Sequence, residues 1–133
     1  MSLAHGLALA ALAALRADAT LAADLGGRLW DVPPRDPAFP HLVLDDVVRR
    51  DRSGLDTGLD EVRLTLRVLA RDGGRVAAAR LAERAETVLL AADLACAGAH
   101  VVLLRHETSE IRLGRDRRTA EATVRFVALI EPV

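Results

Sequence analysis

The stretch HVVLLRHETSEIRLGRDRRTAEATVRFVALI, residues 100–130, predicts two long strands joined by a short polar turn. From residue 119 onward, polar side chains alternate with small or apolar ones, which is the period of a strand with one buried face. The run GRDRR at 114–118 supplies the turn. We therefore expect a long antiparallel hairpin. Its predicted buried residues are Ala120, Ala122, Val124, Phe126, Ala128 and Ile130.

A third strand and the clearest helix precede this hairpin. Residues 61–70 alternate between apolar and polar side chains, RDGG at 71–74 turns the chain, and 75–92 carry apolar residues at helical spacing. The strand's predicted buried residues are Val62, Leu64, Leu66 and Val68. The helix's predicted buried face comprises Ala78, Leu81, Ala82, Ala85, Val88, Leu89 and Ala92, opposite Arg80, Glu83, Arg84 and Glu86.

The first third of the chain predicts a helix over 2–17 with Ser2 as its cap, and a short helix that begins at Asp18 and stops at the glycine pair 26–27. A short strand, a strand over 41–48 and a polar loop or long hairpin arm over 49–61 follow. The order helix, strand, strand, helix, strand, strand is typical of an α+β fold. We expect a largely antiparallel sheet with helices on one face, in a single domain spanning 1–133.

The connection LWDVPPRDPAFPHLVL, residues 29–44, holds four of the five prolines, the single Trp and one of the two Phe. Proline removes a backbone donor, so this segment is expected in extended or turn conformations that do not offer an open sheet edge. Trp30 and Phe39 are expected to anchor it, against the core or a neighbouring molecule. We favour the core.

Composition argues against several classes of function. Hydrophobic residues make up 51% but aromatic ones 2%, so Ala, Leu and Val fill the interior and little remains for an aromatic-lined ligand pocket. The 18 basic residues, all Arg, face 19 acids, which leaves no broad basic field for nucleic acid. The single Cys96 excludes an internal disulfide and is expected to be buried and inert. The N-terminus lacks a positive leader and is too short to span a membrane, so it is expected to be structural.

Residues with catalytic potential gather at 100–110. His100, His106 and Glu110 share strand parity, yet two imidazoles six residues apart lie about 20 Å apart, and their spacing matches no ligand motif. Ser109 and His106, three residues apart, should point to opposite faces, so we expect no nucleophile–base pair. The sequence predicts no catalytic, cofactor or metal site. A small ligand-binding domain or enzyme using His106 and Glu110 remains the alternative.

Two groups of arginines stand out in predicted loops, interleaved with aspartates. Such mixed runs are usually solvated, but they also form charged contacts that fix register between proteins. We take them as candidate partner-binding residues. DNA binding through them is a further alternative, which predicts a steep salt dependence. The six are Arg49, Arg50 and Arg52, and Arg115, Arg117 and Arg118.

Three segments carry a family resemblance. They are ALRADATLAADLGGRLWDVPPRDPAFPHLVLDD (14–46), LTLRVLARDGGRVAAARLAERAETVL (64–89) and LLRHETSEIRLGRDRRTAEATVRFVALIEP (103–132). Together they resemble the tail-completion, or tail-terminator, proteins of long-tailed phages, and most of all the version in alphaproteobacterial gene transfer agents. The patterns belong to the scaffold and include no catalytic signature.

The resemblance implies a structural subunit and no enzyme or cofactor. It implies a ring of identical copies, usually six, that caps the head-proximal end of the tail tube and meets the head–tail connector. DNA would pass through only in transit, no membrane would be involved, and the particle would be assembled in the bacterial cytoplasm. A head-completion or connector ring of the same particle is the close alternative.

Overall fold

A computed structural model describes residues 3–52 and 58–133, where one five-stranded sheet carries three helices. The sheet order is β1-β2-β3-β5-β4, with β1 parallel to β2 and every other pair antiparallel. The predicted α+β fold with a largely antiparallel sheet is confirmed. The elements are α1 (Leu3–Ala17), α2 (Ala19–Leu25), β1 (Leu29–Trp30), β2 (His41–Asp51), β3 (Asp60–Arg71), α3 (Gly74–Ala91), β4 (Ala99–Leu113) and β5 (Thr119–Pro132).

The core lies between the helices and the central strands. In the register of β3 and β5, Leu64 faces Phe126 and Leu66 faces Val124, and all four side chains are buried. Leu7 of α1 packs into the same cluster. The alternation read from the sequence therefore gives the buried face of both strands correctly. The opposite face, which we call the open face, carries their polar side chains.

An alanine face lets α3 lie close to the sheet. Ala78, Ala82 and Ala85 are buried, as predicted, and α3 contacts β3, β4 and β5. Val88 is half-buried. Ala92 lies one residue beyond the last helical position, where its extended backbone caps the helix. Small side chains shorten the distance between a helix and a sheet, so this face sets the thickness of the core.

The two short-range helix signals around α2 are confirmed. The Asp18 carboxylate accepts a hydrogen bond of 3.0 Å from the Leu21 backbone N–H, and Gly26 ends the helix with a φ of 57°. Arg84 of α3 donates two hydrogen bonds, of 3.0 and 2.6 Å, to the same carboxylate. These bonds hold the pKa of Asp18 below its ordinary value. One side chain thus caps α2 and ties it to α3.

Replacing this cap should loosen the junction of α2 and α3. Asp18→Ala removes the N-cap acceptor and leaves Arg84 without its carboxylate, so we expect the melting temperature to fall by roughly 4–8 °C. Asp24→Ala, an exposed acid of the same helix, should change it by less than about 2 °C. Circular dichroism melts of the two variants make the comparison. Equal shifts would contradict the capping role.

The proline-rich connection, residues 31–40, contains no helix or strand, as expected. Trp30 and Phe39 are half-buried, and their rings lie 5.8 and 5.0 Å from the ring of the buried His41. The guanidinium carbon of Arg71 lies 4.1 Å from the centre of the Phe39 ring. Burial lowers the pKa of His41, whose Nδ1 lies 2.9 Å from the Ala38 carbonyl oxygen. The two aromatic residues pack around one histidine, and the favoured prediction of core anchoring is wrong.

Strand β2 is longer and less buried than predicted. Its first four residues are buried, but beyond a bulge between Leu44 and Asp46 most of its residues are exposed, since β1 covers only Leu42 and Val43. The strands extend into the predicted arm, because β2 runs to Asp51 and β3 starts at Asp60. The centre of that arm (53–57) and the Ser2 cap lie outside the described residues.

Candidate assembly surface

The two arginine groups lie at opposite ends of the sheet. Arg49, Arg50 and Arg52 lie where β2 leads toward β3, which we call the hairpin end. Arg115, Arg117 and Arg118 occupy the turn between β4 and β5, which we call the turn end. Strand β3 runs from one end to the other, a distance of about 35 Å at ordinary strand rise. A molecule with two charged ends can contact two different neighbours.

At the hairpin end, buried carboxylates hold exposed guanidinium groups. Arg49 donates hydrogen bonds of 2.8 and 3.0 Å to Asp60, a residue only 5% exposed. Arg52 donates one of 3.1 Å to Glu61, which is 7% exposed. Because Arg49 lies on β2, the prediction that it belongs to a loop is wrong. Strand pairing between β2 and β3 brings each arginine to its acid.

At the turn end, two aspartates fix the loop. Arg118 donates hydrogen bonds of 2.9 and 3.1 Å to Asp72, and this contact lowers the pKa of Asp72. Asp116 accepts hydrogen bonds from the backbone N–H groups of Arg118 and Thr119 and from the Thr119 hydroxyl. These bonds, led by those of Thr119, lower the pKa of Asp116 to about 2. The turn is therefore held by its own side chains.

Because these hydrogen bonds need the ionised Asp116 carboxylate, the stability of the protein should depend on pH. The ordinary pKa of an aspartate is 3.8 and that of Asp116 is about 2, so its contribution to stability is complete above pH 4 and is lost as the pH falls toward 2. We expect the difference in unfolding free energy between the wild type and Asp116→Asn to shrink over that interval. Urea unfolding at pH 6, 4 and 2.5 measures it. A difference that does not change with pH would contradict the assignment.

The six predicted arginines divide into two kinds. Arg49, Arg52 and Arg118 are engaged with carboxylates of their own chain. The side chains of the other three are exposed and make no ion pair or hydrogen bond with residues 3–52 and 58–133: Arg50, Arg115 and Arg117. Like Arg49, Arg50 belongs to β2 and not to a loop. The backbone of Arg117 is in the left-handed region, with φ of 57°, at the tip of the turn.

The open face of the sheet is covered by charge pairs that no pattern in the sequence indicates. The pairs are Arg63 with Glu61 and Glu107, Arg67 with Asp45 and Glu121, and Arg125 with Glu110. The bond from Arg67 lowers the pKa of Glu121. A polar depression of about 260 Å³ lies among these side chains. Because the charges neutralise one another, this face holds no broad field of either sign.

The prediction that His106 and Ser109 point to opposite faces is wrong. His106 Nε2 lies 2.7 Å from Ser109 Oγ, and His106 Nδ1 lies 3.5 Å from a carboxylate oxygen of Glu86 on α3. A bulge between His106 and Thr108 adds one residue to β4, so the serine returns to the helix side. Nothing in the residue types around position 107 indicates this bulge.

The same bulge separates the histidine from the acid of the alternative site. Glu110 lies on the open face, 3.7 Å from Arg125, whereas His106 faces α3 and the edge of the Phe126 ring. His106 and Glu110 therefore lie on opposite faces of the sheet and do not form one site. In the described residues, no group of three or more His, Cys, Asp or Glu could hold a metal ion. Cys96 is half-buried, and burial raises the pKa of its thiol.

Within residues 3–52 and 58–133, no single helix has the length and apolar character needed to cross a membrane. The adjacent helices α1 and α2 meet those criteria when joined, but they are bent by 81° at their junction.

Comparisons with known proteins agree with the likeness seen in the sequence. The family model described as "Tail completion protein gp17" matches residues 10–131. A solved structure described as "Virion of native gene transfer agent (GTA) particle" contains a chain of the same fold, with a TM-score of 0.89 at 24% identity and 98% of each chain covered. No curated protein gives a significant match.

Proposed function

We propose, because this chain belongs to the tail completion protein gp17 family, that its copies form a hexameric ring that terminates the tail tube. Family membership makes it a structural, non-enzymatic protein of a phage-type tail. The ring would cap the head-proximal end of the tube and join it to the head–tail connector. The match over residues 10–131 carries this proposal, since it spans nearly the whole chain.

The two charged ends support a position between two neighbours. One end of the sheet would face the tube and the other the connector, and the fixed pairs at Asp60, Glu61 and Asp72 would keep both ends in shape. A charged group already held in place loses less freedom when it binds. We propose that Arg50, Arg115 and Arg117 make the direct contacts, while Arg49, Arg52 and Arg118 position them.

The wider setting follows from the same role. The chain would act as a single domain over 1–133, in the neck of a virion or phage-like particle assembled in the bacterial cytoplasm. DNA would pass the ring only in transit. The net charge of -1 and the neutralised open face support this, because neither attracts a duplex strongly.

A head-completion or connector ring of the same particle is the second candidate, because such a ring also has one neighbour above and one below. Co-sedimentation separates the two roles. Purified full-length protein is mixed with tail tubes in one arm and with portal–connector complexes in the other. We expect it to pellet with tubes and to limit their further growth. Binding to portal complexes alone would overturn the terminator role.

Removing the unpaired arginines of the turn end should weaken one of these contacts. Arg115→Ser with Arg117→Ser removes two exposed charges without breaking an internal pair, so the fold should keep its melting temperature. We expect at least a tenfold loss of affinity for the tube or the connector, about 1.4 kcal/mol. Arg35→Ser with Arg105→Ser, which removes two exposed charges elsewhere, is the matched control. Equal affinity of both double variants for both neighbours would contradict the contact.

A further inference from the structure

We propose that neighbouring copies join by strand pairing, with residues 46–50 of β2 in one copy antiparallel to residues 108–112 of β4 in the next. The inference rests on the proposed ring and names the surface that would build it. It assigns a second copy of this chain as the occupant of both free sheet edges.

The described chain leaves matching lengths of strand edge unpaired. At one edge, β1 pairs only with Leu42 and Val43, and β2 is regular from Asp46 to Asp51 after its bulge. At the other edge, β4 pairs with β5 alone and is regular from Thr108 to Leu113 after its second bulge. Each regular run is six residues long. Unpaired N–H and C=O groups of this kind readily take up another strand.

The directions of β2 and β4, and the side of the sheet that carries the helices, are compatible with a head-to-tail contact between copies. Pairing along the order β2-β3-β5-β4 is antiparallel at each step, so β2 and β4 run in opposite directions. A copy moved sideways without being turned over therefore presents its β2 antiparallel to β4 of its neighbour. Its helices stay on the same side of the extended sheet. The contact is heterologous, and each copy uses both edges once.

One register of this strand pair brings compatible side chains together on both faces of the sheet. With Asp46 opposite Arg112 on the open face, opposite charges meet, and both side chains are exposed in the single chain. In that register Val47 lies opposite Ile111 on the helix side, where Ile111 is 38% exposed. Cross-strand pairs of opposite charge or of two apolar side chains stabilise a sheet.

A groove beside β2 adds apolar area on the helix side. It has a volume of about 310 Å³ and is lined mainly by residues of α1 and β2, which include Leu9, Leu12 and Val47, together with Asp31 of the proline-rich connection. Leu9 is 49% exposed although it lies on a core helix. In the proposed register, Ile111 and Leu113 of the next copy lie at the mouth of this groove. The strand contact would thus bury apolar surface that the single chain leaves open.

The edges also limit further pairing. A bulge ends each regular run on one side, at Leu44/Asp46 on β2 and at His106/Thr108 on β4, so in the proposed register a partner strand finds five residues and no more. Bulges are a known means of stopping edge-to-edge growth. The partner run on β2 lies at the hairpin end and that on β4 toward the turn end, so copies are staggered along the strands. Stagger together with sheet twist is the geometry by which strands close into a ring.

Disulfide trapping tests the register directly. Val47→Cys and Ile111→Cys are combined in a full-length chain carrying Cys96→Ser, and the purified protein is oxidised with and without tail tubes. We expect a ladder of covalent oligomers in denaturing gels, ending at the ring size. The two single-cysteine chains, each with Cys96→Ser, are the matched controls and should stay monomeric, because a heterologous contact never places a residue against itself.

Charge exchange tests the same register without cysteines. Asp46→Arg alone and Arg112→Asp alone should each weaken self-association at least tenfold, and the chain carrying both changes should regain it. Rings that form without a disulfide ladder and without this rescue would overturn the edge contact but leave the proposed function intact. A ladder and a rescue in a protein that ignores tail tubes would support the contact and reject the terminator role. Unchanged melting temperatures show that each variant is folded.

Discussion

Phe126→Ala is expected to lower the stability of this protein by about 3–5 kcal/mol, which corresponds to a melting temperature lower by roughly 10–20 °C. Phe126 is fully buried on β5, opposite Leu64, and its ring edge meets His106. It is one of two Phe in a chain without Tyr, so Ala, Leu and Val neighbours form most of its surroundings. Short aliphatic side chains cannot move far enough to fill the cavity that its ring would leave.

Leu90→Ala is the control for this loss, since Leu90 is 45% exposed on α3. It should cost less than about 1 kcal/mol. Urea unfolding of the three proteins gives the comparison. A Phe126→Ala protein that unfolds within about 1 kcal/mol of the wild type would show that the ring does not fill the core as described.

Ala85→Leu is expected to destabilise the protein by about 1–3 kcal/mol through the opposite fault, overpacking. Ala85 is fully buried on the face of α3 that lies against the sheet. Three added carbon atoms would push the helix away from β3 and β5. The same change at Ala91, the exposed last residue of α3, should be nearly neutral. Thermal melts decide the matter, and equal effects at the two positions would contradict the close approach of α3.

The main elements of the fold were predictable from the sequence because their patterns are long. Residues 119–126 alternate between polar and apolar side chains, and 75–92 keep a helical period, so the buried faces of β5 and α3 followed directly. Register irregularities had no such signal. The bulges at Leu44/Asp46 and His106/Thr108 depend on tertiary pairing, and the second one places Ser109 beside His106.

The candidate surface was predicted only as a set of arginines. Their division depends on partners that are distant in sequence, such as Asp72, which lies 46 residues before Arg118. The local pattern of charges in the sequence does not distinguish among the six arginines. The packing of the two aromatic residues was not predictable for a related reason, since the rings of Trp30 and Phe39 lie against His41 at the start of β2.

The structural role could be predicted only from the family resemblance. The family match shows that the chain belongs to the tail completion protein gp17 family. No pattern of charge or periodicity alone would have indicated a tail. What the residues add is an account of how such a subunit is held together and where it can meet its neighbours.

Electron microscopy of tails carrying this protein with a C-terminal gold label shows directly whether the protein terminates the tail tube. We predict gold at one end of each tail only, the end that meets the head, with a closed ring of copies in averaged images of that end. Label distributed along the tube, or found on heads that carry no tail and never at a tube end, would contradict the terminator role.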